Sequence, residues 1–216
     1  MGGEALTVGY LRKVTLAGVV AAALAASGPP AAATASLKTA VITSAGISVR
    51  YPSAWTTLPR DPKALALQQR RLAKRNPKLA LNAEQQAAFL RAAKFRSVDL
   101  GAAAAGRFAS NVNVQVDIQG GFPGSLQEFT STARSQYEQQ GVTVVSLSSL
   151  QVSGTTSYRA DTRATVARPD GTTLAARVGQ LFVPRNAGSA IITVATADDA
   201  AGAQLIDTIL SSVRRV

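Results

Sequence analysis

The stretch Ser157–Pro184, SYRADTRATVARPDGTTLAARVGQLFVP, decides the fold. Two strand-like runs, 157–167 and 174–184, flank Asp170-Gly171. An Asp-Gly pair supplies the backbone freedom that a tight turn between antiparallel strands needs, so the stretch reads as a β-hairpin. Working outward, Val142–Val152 reads as a strand before it. Asn186–Ser189 turns the chain again, and Ala190–Ala195 supplies a last strand. The final third is therefore an antiparallel meander. Asp198 or Asp199 caps a closing helix whose stripe is Leu205, Ile206, Ile209, Leu210 and Val213. Arg214 and Arg215 are expected at that helix's C-terminus, where its dipole favours cations.

Earlier elements follow from the same rules. Val41-Ile42 and Ile47–Tyr51 are short strands, ended by Pro52 and followed by a loop carrying Trp55, the chain's only tryptophan, which we assign to the core. Asp61-Pro62 starts a helix, since aspartate accepts from free backbone amides and proline suits the first helical position. This helix is expected to reach Arg75 and stop at Asn76-Pro77. Asn82 with Gln85 marks a second helix, running to about Lys94. Phe95–Leu100 reads as a strand. Asn111–Ile118 alternates with Val112, Val114, Val116 and Ile118 on one face, the pattern of a half-buried strand. Ser125 caps a helix with Leu126, Phe129, Ala133 and Tyr137 on its apolar face, and Gly141 ends it. The expected fold is α+β: a mostly antiparallel sheet sandwiched by helices, with a basic helical pair inserted after the first strands.

The N-terminal segment reads differently. Arg12-Lys13 precedes an uncharged run, 14–26, too short for a membrane-spanning helix and suited to the core of a signal peptide. Ser27, Gly28, Pro29 and Pro30 break it, and Ala33-Thr34-Ala35 offers small residues for cleavage. Residues 1–35 are thus expected to be a signal peptide and 36–216 a single domain, secreted or extracytoplasmic, with no transmembrane segment after cleavage. With no cysteine in the chain, no lipid anchor on that residue is expected.

The 216 residues contain neither histidine nor cysteine. That excludes Ser-His-Asp triads, cysteine nucleophiles, disulfides and zinc sites built on those ligands. No Gly-x-Ser-x-Gly elbow, Gly-rich phosphate loop with a following lysine, or EF-hand loop is present. Nothing in the spacing brings two carboxylates together; Asp198 and Asp199 read as helix caps, and Asp117 and Asp161 lie on separate strands. We expect no enzyme, no catalytic residues, no cofactor and no metal.

Charge is concentrated. Lys plus Arg number 23 against 12 acids, a net of +11. Segment 60–96 alone holds ten Lys or Arg against Asp61 and Glu84, a net of +8. Such a cluster is an electrostatic footprint. Its densest part, Arg70, Arg71, Lys74, Arg75 and Lys78, is the candidate contact site. An envelope protein, or an anionic lipid or wall polymer, is the expected partner. Nucleic acid is disfavoured because Phe89 and Phe95 are the segment's only aromatics.

Three features together resemble the PsbP-like superfamily: a strand running into Tyr51-Pro52-Ser53-Ala54-Trp55, a middle helix after Phe122-Pro123, and a meander closed by the helix at 198–213. The nearest resemblance is to the LpqN-like exported envelope proteins of actinobacteria, and it covers most of residues 39–216. It implies an α-β-α sandwich without an active site, used to dock onto other proteins. The chain departs from LpqN-like proteins in lacking an anchoring cysteine, and from the plain domain in carrying the basic segment 60–96. The sequence therefore points to a non-enzymatic docking domain of the cell envelope. The alternative is a carrier of an apolar small molecule or lipid, held between sheet and helices.

Overall fold

The structure is a computed structural model and describes residues 36–75, 93–105, 107–118, 121–167 and 173–216. In chain order the elements are β1 (Leu37–Ile42), a 3-10 turn, β2 (Ile47–Pro52), β3 (Thr56–Thr57), α1 (Pro62–Arg75), β4 (Ala93–Val98), α2 (Leu100–Ala104), β5 (Asn111–Asp117), α3 (Leu126–Gln139), β6 (Thr143–Val152), β7 (Thr155–Ala167), β8 (Thr173–Pro184), β9 (Ser189–Ala197), α4 (Ala200–Ser211) and β10 (Arg214–Arg215). The proposed signal peptide and most of the proposed second basic helix lie outside the described residues.

A seven-stranded sheet runs β3-β4-β5-β9-β8-β7-β6, with every pairing antiparallel. The expected strand pair is present: β7 and β8 run antiparallel, their register ending at Ala167↔Thr173, while Asp170-Gly171 itself lies outside the described residues. Helices pack on this sheet, so the α+β expectation holds. A second sheet, β1-β2-β10, was not anticipated. Arg214 and Arg215 pair with Ser48 and Ile47 of β2 instead of simply ending the helix. Arg214 still serves the helix terminus, its Nη1 donating to the Ser211 carbonyl at 2.7 Å.

One face of the large sheet packs against α4 and the small sheet. Val112, Val114, Leu181, Ile192 and Val194 meet Ile47, Val49, Ile206, Ile209 and Leu210 there. Trp55 is buried in this cluster, as its core assignment requires, with its carbonyl accepting from Lys38 Nζ at 2.8 Å. The other face carries two clusters. Phe129, Ala133 and Tyr137 of α3 pack on Tyr158, Ala160 and Phe182. Leu58, Leu65, Ala103 and Phe108 cover Val98, Val178 and Ala195.

Local chemistry sets the boundaries. Ser125 Oγ accepts from the Glu128 amide at 3.1 Å and opens α3. Gly141, at φ +69°, closes it. Its amide reaches the Glu138 carbonyl and that of Val142 reaches Tyr137, which is the paired bonding of a left-handed helix stop. Asp199, rather than Asp198, caps α4, accepting from the Gly202 amide.

Three strand expectations are corrected. β4 begins at Ala93, so Lys94 lies in a strand and not at the end of a helix. A register shift between Ala93 and Phe95 accommodates it. β5 is buried on both faces at its start, because layers cover both sides of a central strand, and Asn111 and Asn113 join the valines inside. Ile118 lies past the strand's end and is exposed. The β6–β7 hairpin is also tighter than expected. Val152 pairs with Thr155 across Ser153-Gly154, both at positive φ.

Candidate functional site

α1 is built from its ends inward. Asp61 Oδ1 accepts from the Ala64 amide at 2.7 Å, and Pro62 occupies the first helical position. Leu65 anchors the helix by packing with Leu58, Val98 and Phe108. With 3.6 residues per turn, Arg70, Lys63, Lys74, Leu67 and Arg71 fall within an arc of about 100°, opposite Leu65. All five are exposed. No acid occurs between Pro62 and Arg75, and among the described residues none of these four cations makes an ion pair.

Of the five residues singled out from sequence, Arg70, Arg71 and Lys74 therefore share one solvent-facing surface. Arg75 is the last described residue of α1, and Lys78 lies outside the described residues. Arg96, counted in the same charged segment, belongs elsewhere. It is buried on β4, and burial lowers its pKa to about 10. The exposed surface combines two planar guanidinium forks with two compact ammonium groups, suited to carboxylates or phosphates. Each exposed pair contributes only ~0–1 kcal/mol and is screened by salt, so a single such contact is too weak to hold an anion by itself.

Three aspartates form ion pairs elsewhere. Arg159 grips Asp161 through Nε and Nη2, each at 2.8 Å, and Nη2 also meets Asp207. Sequence spacing did not foresee Asp161 and Asp207 sharing one guanidinium; β7 and α4 bring them together. Burial opposes charge on Arg159, but hydrogen bonds to both carboxylates outweigh it and hold its pKa above the usual value. Asp198 likewise pairs with Arg163 at 3.0 Å, so it is an ion-pair partner instead of a cap. Among the described residues no group of three or more acids is arranged to hold a metal ion.

A second polar feature escaped sequence reading. Arg96, Asn113, Thr193 and Gln180 form one register row across β4, β5, β9 and β8, all buried. Tyr137 donates from α3 to Gln180 Oε1, and Gln180 Nε2 donates to Thr193 Oγ1 at 3.1 Å. Burial, and secondarily the charge of Asp161, push the Tyr137 phenol well above its ordinary pKa. The row separates the two apolar clusters on this face. No residue of it is more than 7% exposed, so it forms part of the interior and offers no open site.

The sheet and α4 leave no room for cargo where they meet at Gly179. A Cβ there would lie 2.3 Å from Ile206 Cγ2 and 3.0 Å from Leu210 Cδ1. Among the described residues, no helix is long and apolar enough to cross a membrane.

No protein-family model matches the chain, and no curated protein matches it in sequence. Similar solved structures exist. One is CyanoP, the cyanobacterial PsbP of Synechocystis sp. PCC 6803, at 13% identity over 88% of this chain and 98% of that one, with a TM-score of 0.49. Another is the Ran-binding protein Mog1p of Saccharomyces cerevisiae, at 10% identity over 85% of this chain and 97% of that one, with a TM-score of 0.46. At these identities and TM-scores the likeness carries no family, partner or activity across to this chain.

Proposed function

We propose that the protein is an exported, non-enzymatic docking domain that meets an acidic partner or an anionic envelope surface through the basic face of α1. The observation that carries this reading is the concentration of Lys63, Arg70, Arg71 and Lys74 on one exposed arc, on a helix without a carboxylate. Arg75 and Lys78 extend the same run of charge along the sequence. Export rests on the leader-like segment 1–35, and LpqN-like kinship on the order of elements. The carrier alternative finds no support in the close fit of α4 to the sheet.

The test retains envelope extract on the protein at low and at high salt, beside a variant with Arg70, Arg71, Lys74, Arg75 and Lys78 all replaced by Gln. Material held by the wild type, and lost both with salt and in the variant, is the expected result. Material held equally by both proteins at high salt would move the contact off α1.

A further inference from the structure

Leu67 lies half exposed on α1. A single exposed leucine is ordinary on a protein surface. Its surroundings are not. The helix-surface neighbours of position 67 lie three and four residues away. Here they include Lys63, Arg70 and Arg71, with Lys74 one further turn along, all exposed. The cationic arc therefore has an apolar centre.

That arrangement discriminates between anionic partners. A membrane surface would call for several large apolar side chains opposite or among the cations. Among the residues of α1 whose side chains are described, Leu67 is the one large apolar side chain exposed, and Ala64 and Ala66 are its small companions. A nucleic-acid strand would use aromatic platforms, and α1 carries no aromatic residue. A protein segment with carboxylates spaced around one apolar side chain complements every part of the patch. Its carboxylates meet the four cations, and its apolar side chain covers Leu67. Burying that pair supplies a gain that salt does not screen.

We infer that the basic face of α1 receives an acidic segment of another protein, which seats a large apolar side chain on Leu67. This rests on the docking reading above and adds the class of partner to it.

The full chain is titrated with three probes: a peptide of glutamates alone, a peptide of equal length with leucine at every fourth position among glutamates, and vesicles of phosphatidylglycerol. Two variants accompany it, Leu67→Ala and the triple Arg70→Gln/Arg71→Gln/Lys74→Gln. Alanine is the best helix former, so Leu67→Ala keeps α1 intact, which circular dichroism checks. The expected result is about tenfold tighter binding of the leucine-bearing peptide than of the glutamate peptide, the gain from covering a leucine. Leu67→Ala is expected to bring the two peptides within about twofold of each other, and the triple variant to weaken both by about three- to hundredfold. Equal binding of the two peptides by the wild type, or an advantage that persists in Leu67→Ala, overturns the apolar anchor and leaves docking on α1 standing. Tighter binding to vesicles than to either peptide overturns the choice of a protein partner. Absence of binding to all three probes at low salt overturns the docking reading itself.

Discussion

Gly179→Ala is expected to destabilise the protein through one identified overlap. Gly179 lies in β8, directly beneath α4. The added methyl carbon would sit 2.3 Å from Ile206 Cγ2, where carbon atoms normally rest about 3.5–4.0 Å apart. Ile206 is fully buried, as are Ile209 and Leu210 beside it, so the side chain has nowhere to turn. The helix itself must lift by roughly 1 Å, parting contacts along β8, β9 and β2. Overpacking of this kind costs about 1–3 kcal/mol, and the loss of glycine's freedom in the unfolded chain returns less than 1. A net loss of about 1.3 kcal/mol lowers the midpoint of thermal unfolding by roughly 3–5 °C for a chain of this size. Circular dichroism through the melt reads this directly. Ile206→Ala alone is expected to cost about 2–5 kcal/mol. In the double variant the two losses should fall short of their sum by at least about 1 kcal/mol, because the alanine removes the atom that clashes. An unchanged or raised melting temperature for Gly179→Ala would refute the reasoning. It would also reveal slack between sheet and helix, the space an apolar carrier would need.

Two further outcomes follow from single contacts. Asp199→Ala removes the acceptor for the Gly202 amide and should cost about 1 kcal/mol, seen as a lower urea midpoint with unchanged slope; an unaltered midpoint would assign the cap elsewhere. Tyr137→Phe leaves Gln180 Oε1 buried without its donor and should cost about 1–3 kcal/mol at neutral pH. The phenol's pKa is raised in the folded state, so its stabilising share is complete below about pH 10 and falls as pH rises beyond it, when the unfolded tyrosine ionises first. The gap between wild type and Tyr137→Phe should therefore narrow by about pH 11 in urea titrations, and a gap that stays constant would contradict the burial of that hydroxyl.

Much of the architecture was readable because local chemistry announced it. Asp61-Pro62 and Ser125 with Gly141 each solve a backbone problem within a few residues, and each marks a boundary the structure keeps; Asp170-Gly171 pointed to the antiparallel pairing of β7 with β8. What escaped was decided by distant parts of the chain. β10 is two residues long and exists through pairing with β2, far away in sequence. Alternation in β5 revealed its valine face but not that Leu58, Leu65, Ala103 and Phe108 pack beside the other, where Asn111 and Asn113 are buried. Arg159 collects Asp161 from its own strand and Asp207 from α4, a juxtaposition no spacing rule contains. The basic site was legible as charge density. Its shape was not, for the linear count mixes Arg96, a sheet-interior residue, with the exposed arc, and gives Leu67 no special place until the helical phase is set.

The docking account is tested most directly by titrating the full chain with an anionic probe, a glutamate peptide or phosphatidylglycerol vesicles, at low and at high salt. The comparison is Arg70→Gln/Arg71→Gln/Lys74→Gln. Exposed charge pairs contribute about 0.2–1 kcal/mol each, so removing three cations should weaken binding by about three- to hundredfold. High salt should weaken the wild type more than the variant. Equal affinities for wild type and variant, with the same dependence on salt, would contradict the assignment of α1 as the docking face.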